Sequence, residues 1–372
     1  MKRFFLGMAA GYSGMKWFKH LTTVGHQEDY KDLTRYLASR YNGKAVLTKN
    51  GRSALTLALK AFFKPGDAIL VNGFTCYAVY EAVKAAKLVP VFADISKKDL
   101  NFNITTLEDG LKNGGNSKIR GIIVQNTLGN PVNIGEIEKF AKKHELTIIE
   151  DLAHCTGIRY ADGREVGTVG AAVALSFGKD KSIDTISGGA LVLRYPTLYG
   201  IIAPMKVPKI SDHLRAKFYP MFGTLCRRLT RFHIGGALMR FLVKIHFVER
   251  SADNRLDLER KPSKFEARLA MKQLQELRDD NKPLRKFCFV NNRTTLLEKL
   301  QRIGYYFSGF WYEKPISPER YYSLAGFPEE RCPNALYAAS HIINIPTYYS
   351  ESDLKPAMDL IEKYKEKGAN GF

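Results

Sequence analysis

The sequence predicts an α/β protein: a large domain on a mostly parallel sheet, then a smaller C-terminal α+β domain. Three observations carry this. From about Glu28, short and near-continuously apolar runs alternate with helix-like stretches, as when helices cover both faces of a parallel sheet. Asn126, Asp151 and Gly178 fall just after such runs, and sites in these sheets lie beyond the carboxyl ends of the strands. The rhythm breaks over 206–262 and resumes in another form. The expected division is therefore 1–205, 206–262 and 263–372.

The elements follow in order. A strand-like 45–48 leads into Gly51-Arg52-Ser53-Ala54, which opens a helix over 53–63. After the Pro65-Gly66 turn come a strand over 68–71, a helix over 77–86 and a strand over 89–93. Asn113-Gly114-Gly115-Asn116 is a flexible loop. Residues 120–125 form a third strand, 134–144 a helix and 146–150 a fourth strand. Another strand, 172–177, runs into Gly178-Lys179-Asp180-Lys181 and then Ser187-Gly188-Gly189. Past Pro262, 265–277 and 284–303 are helix-like. Segments 302–312 and 342–346 are strands of the smaller domain, closed by a helix over 352–365.

Bulk properties exclude several classes. With 45% hydrophobic and 12% aromatic residues the chain is globular, not disordered. Five cysteines, an odd count without a CxxC pair, indicate neither a disulfide framework nor a zinc site. No metal site is expected, and a reduced, cytoplasmic setting is. The start, Lys2-Arg3 then an apolar stretch over 4–11, imitates a signal peptide but is brief and mixed. The balance of 57 Lys+Arg against 37 Asp+Glu gives +20, which attracts phosphorylated substrates, nucleic acid or acidic lipid. Nucleic acid is disfavoured, because no recognisable binding motif with interleaved aromatics is present.

A carboxylate (Asp151), a hydroxyl (Ser176) and a lysine (Lys181) at the carboxyl ends of strands are what pyridoxal phosphate (PLP) requires. The carboxylate pairs with the ring nitrogen, the hydroxyl helps hold the phosphate and the lysine binds the aldehyde. Lys179 is the rival lysine. His154, three residues after Asp151, is a structural histidine or lies near the ring or its phenolic oxygen. Gly51, Arg52 and Ser53 at a helix N-terminus suit a phosphate, although small residues also cap helices.

The segments Asn50-Gly51-Arg52-Ser53-Ala54-Leu55, Glu150-Asp151-Leu152-Ala153-His154 and Ser176-Phe177-Gly178-Lys179-Asp180-Lys181 resemble, in that order, the DegT/DnrJ/EryC1/StrS family of fold-type I PLP enzymes, mostly sugar aminotransferases. The resemblance places Lys181 on the family's lysine position, four residues after Phe177. It implies Asp151 at the pyridinium and Gly51, Arg52, Ser53 and Ser176 around the phosphate. Departures are visible. The ring-stacking position falls on Cys76, so that Cys76 or Tyr77 covers the ring. A usual histidine is Asn126, and the Asn-x-Arg-Met stretch that reaches across the family dimer reads Glu259-Arg260-Lys261-Pro262. The resemblance further implies transfer of an amino group from glutamate or a similar donor to a nucleotide-linked keto-sugar, in glycan or polysaccharide synthesis, by a homodimer. Dehydratases of the family typically carry histidine for the lysine, and this chain keeps Lys181.

Residues 214–250 hold eight Lys/Arg against one acid, a net of +7. Leu238, Phe241, Leu242 and Ile245 share one helical face, opposite Arg240 and Lys244. This insert lies on an anionic membrane surface, or closes over a diphosphate substrate, or packs on the body or a second subunit. It also motivates an alternative from another class, a membrane-surface or regulatory binding protein on an inherited enzyme fold.

Overall fold

The computed structural model describes residues 4–6, 16–202, 204–232, 234–245, 247–248, 256–277, 282–307 and 311–366. The chain divides into two compact units: Met1–Met8, Leu59–Val173 and Arg278–Phe372 form one, Ala9–Ala58 and Ala174–Leu277 the other. Seven strands belong to a large, mostly parallel sheet.

In the first unit, Thr147–Asp151, Ile119–Val124, Ala68–Asn72 and Val89–Ala93 lie side by side, all parallel. Ala68–Asn72 is buried along its whole length, which is why its sequence shows no polar alternation. The helix Ile134–Lys143 buries Ile134, Ile137, Phe140 and Ala141, the spacing of a single helical face.

The same unit holds an antiparallel pair, Arg285–Phe289 with Ile342–Pro346. Leu296 and Leu300 of the helix Arg293–Arg302, and Leu354 and Ile361 of the helix Glu351–Glu362, join its apolar cluster. Here one expectation is corrected: 284–303 is not a continuous helix. Its first part pairs as a strand, and Asn292, in left-handed conformation with φ 51°, caps the helix by accepting the Thr295 N–H at 3.3 Å. Of the expected strand 302–312 only Tyr305–Tyr306 forms, paired with Phe4–Phe5, and 308–310 lie outside the described residues. Most of the apolar start also lies outside them, although Leu6 is fully buried.

In the second unit, Lys44–Thr48 runs antiparallel to Gly189–Leu193, which lies beside Ala174–Ser176, the end of the strand Ala172–Ser176. The helix Gln27–Arg40 packs against Lys264–Gln275. The basic insert is a pair of helices, Ile210–Leu229 and Gly235–Lys244. Cys226, Leu242 and Val248 form its buried centre, with Tyr219, Phe222 and Leu238 around them. No helix among the described residues is long and apolar enough to cross a membrane.

Candidate active site

Within the second unit, backbone builds a cradle from sequence-predicted site residues. Asn50 caps the helix Gly51–Phe62, its Oδ1 accepting the Ser53 N–H at 2.8 Å. A Cβ on Gly51 would lie 2.6 Å from Ser176 Cβ and 3.0 Å from its Oγ. A Cβ on Gly189 would meet the carbonyl carbon of Asn50 at 2.5 Å and the Gly51 nitrogen at 2.7 Å. Only glycine at both positions lets the helix start lie against Ser176.

The cradle carries an unmet hydrogen-bonding demand. Asn50 is 8% exposed, and its Nδ2 has no hydrogen-bond partner among the described residues. A buried donor left so costs about 1–3 kcal/mol. A helix N-terminus with such a donor beside it suits an anion, and the cradle therefore fits a phosphate. Arg52 is buried rather than solvated. Ser53 is fully buried, and its Oγ donates to the Asp257 carbonyl at 2.8 Å, so its hydroxyl braces the cradle from behind.

Ser176 leads into the lysine loop. The Lys181 N–H donates to the Gly178 carbonyl at 3.3 Å. Asp184 fixes the loop beyond it, accepting from the Asp180 N–H at 2.9 Å and the Ile186 N–H at 3.0 Å. Gln273 bonds the backbone of Asp184 on both sides, at 2.8 Å each. Ser187 Oγ lies 2.5 Å from Glu266, whose carboxyl burial pushes up. The two lysines differ. Lys179 is 8% exposed, with Nζ 4.3 Å from the centre of the Tyr219 ring, whereas Lys181 is half-buried.

Within the first unit, side chains build a separate cluster around Asp151. Adjacent strand residues point to opposite faces, and Glu150 and Asp151 show it. Glu150 is fully buried and accepts from Tyr160 Oη and Gly167 N at 2.7 Å, Val169 N at 2.8 Å and Gly170 N at 2.5 Å. That carboxylate is a structural anchor. Asp151 Oδ1 accepts the Ala153 N–H at 2.9 Å.

His154 Nδ1 accepts the Leu128 N–H at 3.1 Å. A backbone N–H only donates, so the proton of the neutral ring sits on Nε2, 3.4 Å from Tyr312 Oη. Trp311 packs against the same ring, with centroids 4.7 Å apart. Burial pushes the Tyr312 phenol well above its usual range, and the charges of Cys76 and Asp151 push the same way.

Asn126 adopts φ 51°, a conformation asparagine tolerates. Its Oδ1 accepts the Val132 N–H at 2.8 Å, while Nδ2 reaches Tyr160 Oη at 3.5 Å and Cys155 Sγ at 3.8 Å. Cys155 in turn donates to the Asp151 carbonyl at 3.7 Å. Cys76 caps the helix Tyr77–Ala85, accepting the Ala78 N–H at 3.5 Å. The Tyr77 ring stacks on Tyr321 with centroids 4.6 Å apart.

The first unit thus collects Asp151, His154, Asn126 and Cys76, and the second collects Gly51, Arg52, Ser53 and Ser176, with Lys181 on the loop that follows. Sequence reasoning passed over Asn50, although its place three residues before Ser53 is N-cap spacing. It had no signal for Trp311 and Tyr312, which come from a distant part of the chain. The Glu259–Pro262 segment is tied within its own unit: the Pro262 carbonyl accepts from Tyr30 Oη at 2.7 Å, and Lys206 pairs with Glu259 at 2.6 Å.

The sequence profile of the DegT/DnrJ/EryC1/StrS aminotransferase family matches residues 26–358. Over 170 residues the chain is 33% identical to GDP-perosamine synthase of Escherichia coli O157:H7, covering 45% of each. Over 179 residues it is 30% identical to GDP-4-keto-6-deoxy-D-mannose 3-dehydratase of Yersinia pseudotuberculosis, covering 46% of this chain and 44% of that one. The chain spans less than half the length of these curated relatives. A DegT DnrJ EryC1 StrS aminotransferase from Brucella abortus shares the fold, with a TM-score of 0.67 at 20% identity over 93% of this chain and 94% of that one. The family profile covers nearly the whole chain, and the protein is a member of the DegT/DnrJ/EryC1/StrS aminotransferase family.

Proposed function

We propose that this protein is a PLP-dependent aminotransferase that moves an amino group from glutamate or a similar amino acid to a nucleotide-linked keto-sugar, for polysaccharide or glycan synthesis. The observation that carries it is the Gly51–Ser176 cradle, a phosphate-shaped helix start with a buried donor to satisfy, followed by the Lys181 loop. The relatives named as acting on GDP-linked sugars support the substrate class, and the net charge of +20 suits a diphosphate. One relative is named a dehydratase; retention of Lys181 favours amination.

In this reading the cradle holds the phosphate of PLP through backbone N–H groups and Asn50, with Ser176 beside it. Asp151 keeps the proton on the pyridinium nitrogen, as a carboxylate favours an adjacent cation. PLP, when bound, supplies the electron sink for the substrate carbon. Lys181 holds the cofactor by its Nζ and, once released, carries the proton to and from that carbon. His154, its Nδ1 committed to Leu128, keeps Nε2–H fixed and acts as a wall that positions the ring. The proposal includes a homodimer, 263–372 as the small domain, and a cytoplasmic enzyme in peripheral contact with an anionic membrane through 214–250.

Absorbance of the purified protein with PLP, before and after borohydride, tests the chemistry. Wild type is expected to show a visible band that borohydride abolishes, and Lys181→Ala to show none. A wild type without that band sinks the proposal.

A further inference from the structure

The basic insert buries only part of its apolar surface. Leu242 and Leu238 turn toward Cys226 and Phe222. Phe241 and Ile245, one helical turn apart on the neighbouring flank, stay 56% and 51% exposed. Phe232 and Ile234, in the connection between the two helices, are 59% and 52% exposed. Leu214 and Leu225, three turns apart and so on one face of the Ile210–Leu229 helix, are 44% and 43% exposed. Scattered single apolar residues need no explanation, but seven on one helical pair and its connection, Ile210 among them, do.

The flanking charge decides what covers them. Arg228, Arg240 and Lys244 are exposed, and none makes an ion pair among the described residues. Asp212 is the single acid in the Ile210–Lys244 stretch, and it pairs with Lys49. A second copy of the chain would bring the same cations against one another, and like charges across an interface are repulsive. An anionic bilayer satisfies both features, because apolar side chains enter the headgroup–acyl boundary while Lys and Arg reach the phosphates.

We propose that the Ile210–Lys244 helical pair is a docking surface for anionic phospholipid, with Phe232, Ile234, Phe241 and Ile245 entering the bilayer and Arg228, Arg240 and Lys244 holding its headgroups. This rests on the peripheral contact included in the proposed function and is independent of transamination.

The test is co-sedimentation of the full chain with phosphatidylcholine vesicles, with and without phosphatidylglycerol. Binding is expected only with phosphatidylglycerol, and to weaken as salt rises. Arg228→Gln/Arg240→Gln/Lys244→Gln is expected to weaken it about a hundredfold, at about fivefold per cation. Phe241→Ser/Ile245→Ser is expected to weaken it about tenfold or more. The PLP band is recorded on the same samples, so that loss of binding with an intact band is not unfolding. Binding without a band supports the surface while sinking transamination. An intact band with no binding to anionic vesicles overturns the surface, as does a self-associated species that Phe241→Ser/Ile245→Ser disperses.

Discussion

Around Gly51 backbone lies on backbone, whereas around Asp151 side chains hold one another. The cradle depends on missing atoms: any Cβ at Gly51 or Gly189 would occupy space that Ser176 or Asn50 already fills. The Asp151 cluster depends on polar atoms that are present and saturated, through Glu150, Tyr160, Asn126 and His154. The first kind of site fails when something is added, the second when something is removed.

The largest effect is therefore expected from deletion in the carboxylate cluster. Glu150→Ala leaves three N–H groups, those of Gly167 and Gly170 buried, without their acceptor and should lower stability by about 3–5 kcal/mol, read by urea denaturation. A loss below about 1 kcal/mol would break the comparison.

The second unit has a pH-sensitive brace. His20 is 3% exposed, its Nε2 is 3.1 Å from the Ala216 carbonyl and its ring meets Phe265 edge-on. Burial lowers its pKa to about 4. Between about pH 4 and 6.5 the unfolded chain takes up a proton that the folded chain refuses. The brace is fully in force above pH 6.5 and is lost as pH falls toward 4, to about 3 kcal/mol in all. Denaturation across that range should show the slope, and His20→Asn should flatten it.

Addition is the test of the cradle. Gly51→Ala must displace Ser176 and should cost about 1–3 kcal/mol, with a weakened affinity for PLP measured by fluorescence titration. An unchanged affinity would separate the cradle from the cofactor. The smallest effect is expected at Lys179, whose cation sits on the Tyr219 ring. Lys179→Met should cost about 1 kcal/mol and keep the visible band.

Much of this fold was legible because buried strands leave apolar runs: the parallel Val89–Ala93 and the antiparallel Ile342–Pro346 both stand where the sequence puts them. The 284–303 stretch misled, because a short apolar run such as Phe287-Cys288-Phe289 does not by itself separate a buried helix segment from a strand, and only pairing with 342–346 decides. Among the candidate site residues, those on local motifs (Gly51, Asp151, Ser176, Lys181) could be singled out from spacing and resemblance. The contacts of Ser53 with Asp257 and of His154 with Tyr312 join distant segments, and no local pattern records such pairs. The roles of neighbours Glu150 and Asp151 separate only once strand alternation assigns them to opposite faces.

The central claim, that Lys181 and not Lys179 binds the cofactor, is tested most directly by borohydride reduction of the PLP-loaded protein followed by peptide mass mapping. The label is expected on Lys181 alone. Label on Lys179, or spread over surface lysines, would contradict the account.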